Sequence, residues 1–290
     1  MNSSDNSDLN EVRVDVGDLT FDAAVNDVGL YNGLDPSESV LLLHGFPQSK
    51  ASWLPVMARL GRAGVPAIAF DQRGYSPGAR PSTVADYCLE NLVADVVNFC
   101  DATELERVYL VGHDWGAIVA WATTAARPDR ISSLTAVSVP HPAAFAWAIA
   151  SDPDQRQRSA YMDSLRDDPS MADLMTADDG AGLRAAYEGV VADDLIERHV
   201  EVLMQPGAMA SAINWYRANG DDDLAAIAPA NRPTTLIWGE NDVAVGAASI
   251  ARCGDHVTGE YRTIRLPGIT HWVPEQAPDA VVSAVLDGMG

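Results

Sequence analysis

Short apolar runs recur along this chain, and most are followed by a longer segment with helical spacing. Ser39 to Leu43 reads Ser-Val-Leu-Leu-Leu, an uninterrupted apolar run of the kind a strand shows when both of its faces are buried. Val65 to Phe70, Arg107 to Val111, Ile131 to Val139, Thr234 to Trp238 and Tyr261 to Leu266 have the same character. Between and after them, Trp53 to Ala63, Thr83 to Asp101, Gly116 to Ala126 and Ala277 to Met289 carry apolar residues at helical spacing. Val12 to Val25 alternates and predicts one or two opening strands. Strand and helix in alternation restrict the chain to an α/β class, a mostly parallel sheet with helices on both faces. The alternation fails between His141 and about Asn231, where helical and acidic segments hold no convincing strand. The expected organisation is a core of residues 1–140 and 231–290, with residues 141–230 inserted as a helical cap. Such an insertion lies over the carboxyl ends of the strands, where open α/β sheets bind ligands.

The strand ending at Val111 runs into Gly112-His113-Asp114-Trp115-Gly116-Ala117 and then a helix. Strand, Gly-x-nucleophile-x-Gly and helix make a nucleophile elbow, a sharp turn that leaves the central side chain exposed at a helix N-terminus. That central residue is Asp114, not serine. A carboxylate is already ionised at neutral pH, so it attacks carbon without a base and forms an ester. Taken singly, the same residues read equally well as an ordinary turn with Asp114 capping a helix.

Together with His44-Gly45-Phe46-Pro47, this elbow resembles the epoxide hydrolases of the α/β-hydrolase fold, from about Asn10 to the end of the chain. The resemblance implies an oxyanion hole from the backbone N–H groups of Phe46 and Trp115. It implies a supporting acid at Asp242, in Trp238-Gly239-Glu240-Asn241-Asp242, with Glu240 the neighbouring alternative. It implies a proton acceptor at His271, in Gly268-Ile269-Thr270-His271-Trp272. Nucleophile, acid and histidine then follow in the chain order of this fold. Two tyrosine hydroxyls of the cap would bind the epoxide oxygen. Tyr216, in Asn214-Trp215-Tyr216-Arg217, and Tyr161 match those positions, with Tyr187 in reserve for the latter. The expected reaction converts a small-molecule epoxide and water to a vicinal diol through an ester on Asp114, with no cofactor and no metal.

The alternatives differ at named positions. A haloalkane dehalogenase shares the nucleophile but needs two donors for halide; Trp115 is one, Phe46 offers none from its side chain, and Trp147 or Trp215 would have to be the other. A fluoroacetate-type dehalogenase carries arginine where this chain has Trp115. An esterase needs serine or cysteine at position 114. A non-catalytic ligand-binding homologue would be expected to have lost one of Asp114, Asp242 or His271.

The net charge of −22 repels nucleic acid and anionic membranes, and steers toward a neutral substrate. Lys50 is the single lysine, and aspartate outnumbers glutamate; salt adaptation and GC-rich coding bias both produce such a composition. Cys88, Cys100 and Cys253 show no metal-ligand spacing and suit a reducing compartment. His44 is expected to be structural; His113, His141, His199 and His256 sit at no metal-ligand spacing and are expected to have core or surface roles. Asp71-Gln72-Arg73-Gly74 reads as a supporting turn. Met1 to Asn10 reads as a polar tail rather than a signal peptide, and no apolar run is long enough to span a bilayer, so a cytoplasmic protein is expected. Monomer and homodimer are both left open.

Overall fold

The computed structural model describes residues 9–28 and 34–290, so most of the Met1 to Asn10 tail lies outside the described residues. Eight strands form one sheet: β1 (Leu9–Val16), β2 (Leu19–Asn26), β3 (Ser39–Leu43), β4 (Ala67–Phe70), β5 (Val108–His113), β6 (Ile131–Val137), β7 (Thr234–Gly239) and β8 (Tyr261–Leu266). Their order is β1-β2-β4-β3-β5-β6-β7-β8. The β1–β2 and β2–β4 pairs are antiparallel and the remaining pairs parallel. The mostly parallel sheet is the one that the alternation of the sequence predicts, and the architecture is the α/β-hydrolase fold that the motif resemblance implies.

Strand β3 shows why both faces are covered. Side chains alternate across a strand, so Leu41 and Leu43 enter one core while Val40 and Leu42 enter the other. The first core is closed by α2 (Leu89–Ala102) and α3 (Trp115–Ala126), through Leu92, Val96, Phe99 and Ile118. The second is closed by α1 (Leu54–Arg62) and α13 (Pro278–Met289), through Val56, Met57, Leu60, Val281 and Val285. Each such aliphatic side chain contributes about 1.5–3 kcal/mol on burial.

Between β6 and β7 lie seven helices: α4 (Pro142–Ser151), α5 (Pro153–Arg158), α6 (Ala160–Asp167), α7 (Met171–Ala186), α8 (Asp193–Leu203), α9 (Ala208–Ala218) and α10 (Asp221–Ala225). Helix α7 is interrupted by non-helical backbone from Ala177 to Gly180. Phe145, Leu165, Leu183 and Leu203 join the same hydrophobic cluster as α2 and α3. Two short helices, α11 (Ala247–Arg252) and α12 (Val273–Gln276), complete the chain.

Two expected elements need correction. The helix expected over Thr83 to Asp101 is split: a 3-10 turn at Val84–Tyr87, then Cys88 in an extended conformation, then α2. The break is held from a distance. The Asn219 side chain accepts the Leu89 N–H at 2.7 Å and donates to the Tyr87 carbonyl at 3.0 Å. The strand expected to reach Val139 stops at Val137, because Ser138 takes a positive φ of 67°. No described helix is long and apolar enough to cross a membrane.

Candidate active site

Strand β5 delivers the chain to Asp114 in a strained conformation, φ 52° and ψ −122°, and α3 starts at the next residue. A non-glycine residue holds such a conformation only when its surroundings over-determine it. They do so here by close approach. Any Cβ on Gly116 would collide with the Leu43 carbonyl at the end of β3, and any Cβ on Gly45 would collide with the Asp114 side chain itself. The two glycines therefore let the β3 loop and the elbow touch. That contact places the Phe46 N–H 2.8 Å from Asp114 Oδ1.

The turn after β7 brings in Asp242, whose side chain is fully buried. Its Oδ1 accepts the N–H groups of Ala244 and Val245, at 2.8 and 2.9 Å. Its Oδ2 faces His271 Nδ1 at 2.8 Å. The other ring nitrogen, Nε2, lies 3.5 Å from Asp114 Oδ2. Glu240 points outward and pairs with Arg265 at 3.2 Å. Asp242, not Glu240, is thus the carboxylate beside the histidine.

The electrostatics follow from the pairing. Burial alone lowers the His271 imidazole, but the carboxylates of Asp242 and Asp114 outweigh it and raise the pKa to about 10. Burial alone raises Asp114, and the His271 hydrogen bond and charge, with His113 and the Phe46 N–H, outweigh it, leaving Asp114 below the ordinary carboxylate range. The pairing favours an imidazolium at His271 beside an ionised Asp114.

Tyr161 on α6 and Tyr216 on α9 both line the cavity above Asp114. Tyr216 is wedged edge-on between Phe46 and Trp115, with ring centroids at 5.4 and 5.0 Å. Its hydroxyl takes a side-chain hydrogen bond from Trp115, and the two tyrosine hydroxyls are bonded to each other. Burial pushes the Tyr216 phenol well above its ordinary value; Tyr161 is 42% exposed as a residue, but its hydroxyl end is desolvated beside Asp114 and is pushed upward too, so both stay in the neutral donor form. Tyr187 is elsewhere: it is fully buried and its hydroxyl donates to the Pro47 carbonyl at 2.7 Å.

The cavity has a volume of about 450 Å³ and is walled by Phe46, Leu165, Met171, Met175, Val243 and Trp272. A second chamber of about 20 Å³ shares Asp114, Tyr161, Tyr216 and His271 with it and is otherwise lined by Trp115, Ile118, Phe145 and Met162. Two side chains considered as halide donors are absent from both. Trp215 Nε1 donates to the Arg73 carbonyl at 2.9 Å, and Trp147 is exposed beneath Arg252.

Sequence reasoning missed a layer of polar residues behind His271. The His271 carbonyl receives the Ser138 hydroxyl at 2.8 Å and faces His113 Nε2 at 2.9 Å. His113 Nδ1 faces Gln48 Oε1 at 2.7 Å, and Gln48 in turn meets Glu275. His113 was expected to have a core or surface role and is fully buried. Nothing in the local sequence marks Gln48 or Glu275. His44 is buried as well, with Nε2 accepting the Gln72 N–H at 3.1 Å. The turn containing Gln72 is pinned by the Lys50–Asp71 and Arg73–Asp95 ion pairs, at 2.8 and 2.6 Å. Cys88, Cys100 and Cys253 are free thiols.

A family model described as alpha/beta hydrolase fold matches residues 38–278. Among relatives, the Bacillus subtilis AB hydrolase superfamily protein YfhM is 29% identical over 262 residues, spanning 88% of this chain and 91% of that protein. The Caenorhabditis elegans protein epoxide hydrolase 2 is 31% identical over 259 residues, spanning 83% of this chain and 71% of that one. A crystal structure of a Bacillus megaterium epoxide hydrolase in complex with an inhibitor superposes with a TM-score of 0.83, at 22% identity, covering 96% of this chain and 99% of that chain; this likeness is one of fold. The chain is a hydrolase and belongs to the epoxide hydrolase family of the α/β-hydrolase fold.

Proposed function

We propose that this protein hydrolyses epoxides to vicinal diols through an ester on Asp114, with residues 141–230 acting as a cap on a core formed by 1–140 and 231–290. The observation that carries the reading is the meeting of two neutral tyrosine hydroxyls with a buried, ionised carboxylate in one cavity. An epoxide needs both: a nucleophile at carbon and a proton donor at oxygen, since an alkoxide is a poor leaving group.

The contact with Phe46 supports different roles for the two carboxylate oxygens. Oδ1 rests on the Phe46 N–H, where an ester carbonyl oxygen belongs, so Oδ2 attacks the epoxide carbon. The C–O bond of the ring breaks, and the oxygen takes its proton from Tyr161 or Tyr216. Esterification removes the negative charge of Asp114. His271 then keeps one carboxylate partner instead of two, and its pKa falls from about 10 toward the range where it accepts a proton. The proton it loses restores the tyrosine. Neutral His271, held by Asp242, removes a proton from water, and the hydroxide adds to the ester carbonyl carbon. Charge builds on Oδ1, where the N–H groups of Phe46 and Trp115 stabilise it. Collapse releases the diol, whose leaving oxygen takes up the His271 proton, and leaves Asp114 as a carboxylic acid with one oxygen from water; that acid's proton passes to His271, which restores the resting carboxylate and imidazolium. The chemistry calls for no cofactor or metal.

The test is styrene oxide hydrolysis in heavy-oxygen water. A single turnover should place label in Asp114 and none in the diol, and later turnovers should label the diol. Label entering the diol directly on the first turnover would sink the ester mechanism. Halide release from 1-bromobutane with no diol from epoxides would replace the reaction while keeping the nucleophile.

A further inference from the structure

We propose that Glu275 is a protonated carboxylic acid in the resting protein and the positioning residue at the head of a directed hydrogen-bond relay that holds His271. His113 is fully buried, and both its ring nitrogens face oxygen atoms: Gln48 Oε1 at 2.7 Å and the His271 carbonyl at 2.9 Å. A neutral imidazole donates from one nitrogen only. Burial, and the positive charge of His271 nearby, depress the His113 pKa to about 3, so it is neutral.

Which end of a glutamine amide is oxygen is fixed by the surrounding network. Turning the Gln48 amide over satisfies His113: the Gln48 N–H donates to Nδ1, and the His113 Nε2–H donates to the His271 carbonyl. The Gln48 oxygen then faces Glu275 Oε1 at 2.5 Å. Two oxygens at that distance require a proton between them, and Glu275 is the group that can supply it. The distance agrees. It is short for N–H···O and ordinary for O–H···O.

A second observation stands apart from the first. Glu275 Oε2 is buried and has no hydrogen-bond partner. The nearest titratable nitrogen, His199 Nε2 on α8, is 3.8 Å from Oε1 and equally unpartnered. His199 is neutral as well, since its Nδ1 accepts the Ser49 N–H at 3.1 Å and burial holds its pKa near 3. The remaining titratable groups that act on Glu275 are the Tyr187 phenol beside α7 and His271 itself. A buried carboxylate lacking a cation at contact distance protonates rather than stay charged. Consistently, burial raises the Glu275 pKa to about 8.

Ionisation of Glu275 reverses the relay. The Gln48 amide turns its N–H groups toward the carboxylate, and its oxygen then captures the proton of His113 on Nδ1. The His113 Nε2 lone pair is left opposite the His271 carbonyl, so His271 loses one of the two donors on its backbone. The ring between Asp242 and the ester is no longer fixed, and the hydrolytic half of the reaction slows.

The protonation claim is independent of the reaction, whereas the kinetic consequence rests on the epoxide reading above. Two measurements keep them separate. Infrared spectra of protein labelled with heavy-carbon glutamate should show a protonated carboxylic acid band at neutral pH. It should disappear with a midpoint at about pH 8, and it should be missing in Glu275→Gln and in Glu275→Met. Hydrolysis of the Asp114 ester, followed in single turnovers, should fall by about tenfold above that midpoint in the wild type. Glu275→Gln always donates to Gln48, so it should stay active and lose this alkaline limb, which a merely structural role would leave in place. If Glu275→Gln does not fold, Gln48→Leu serves, with the limb again lost but at a lower rate throughout. A spectrum without the acid band at neutral pH overturns the proposal, as does an alkaline limb shared by wild type and variant. A protein that shows the band and hydrolyses no epoxide defeats the proposed function and leaves the relay standing.

Discussion

At the scale of single residues, the proposed mechanism separates nucleophile, base and proton donor, so that each can be removed alone. Asp114→Ala should abolish diol formation, a loss of about 10³-fold or more, and leave no ester detectable by intact mass. His271→Gln should still form the ester and fail to cleave it, so the adduct mass should persist for many minutes after a single addition of styrene oxide. Tyr216→Phe and Tyr161→Phe should each slow ester formation by roughly 10²-fold and leave ester hydrolysis little changed. A Tyr216→Phe variant with normal ester formation would show that this hydroxyl is not the proton donor. The titrations also act on stability. His271 and Glu275 have raised folded-state pKa values, so the folded protein holds more protons than the unfolded chain from about pH 6.5 to about 10 for His271 and from about pH 4.5 to about 8 for Glu275. Their contribution is complete below their unfolded values and is lost as pH rises through the folded ones. His113 and His199 are depressed to about 3 and act in the opposite direction, costing stability as pH falls below about 6.5. Urea midpoints should therefore peak between the two limbs, and Glu275→Gln should flatten the alkaline one. An alkaline limb unchanged in that variant would mean that Glu275 does not titrate there.

Elements are fixed by the close packing that the elbow demands. Helix α3 starts against the end of β3, and the atom that Gly116 lacks is what permits the approach. Gly116→Val forces the Leu43 and His44 carbonyls away from the helix, a core overpacking against backbone rather than a flexible side chain. It should destabilise the fold by more than about 4 kcal/mol, or prevent soluble expression. Guanidinium unfolding measures it, and a shift of less than about 1 kcal/mol would show that the elbow relaxes freely. The same physics explains what the sequence made legible. Strands β3, β5 and β7 were readable because burial on both faces demands unbroken apolar runs, and Asp114 because glycines flank it at fixed spacing. Asp242, His271 and the two tyrosines stood out through motif likeness; folding draws His271, Tyr161 and Tyr216 to one cavity and buries Asp242 behind the histidine. The break at Cys88 was not readable, because Asn219 creates it from across the chain. Glu275 and Gln48 were not readable for the same reason: their contact spans 227 residues, and neither carries a local pattern.

The whole molecule sets what the site can accept, because Asp114, Tyr161, Tyr216 and His271 line two unequal spaces. The cavity of about 450 Å³ has room for an aryl or alkyl group against Met171, Met175 and Trp272. The smaller one, about 20 Å³, is space for one water-sized group. Among the residues lining either space there is no lysine or arginine, and the surrounding protein carries a charge of −22. An epoxide that fits has one substantial neutral substituent and a bare or methyl-bearing second carbon. Styrene oxide should therefore exceed trans-stilbene oxide in kcat/KM by roughly 10²-fold, and the anionic glycidate should be poorer than its neutral methyl ester. Phe145 and Met162 close the small side. Phe145→Ala should raise turnover of trans-stilbene oxide while leaving styrene oxide within a few-fold, at a stability cost of about 3–5 kcal/mol. Met162→Ala should do the same more weakly, at about 2–5 kcal/mol. Equal wild-type rates on the two aryl epoxides would mean that the small chamber opens during turnover, and the selectivity would then belong to motion of α4 and α6 rather than to the resting shape.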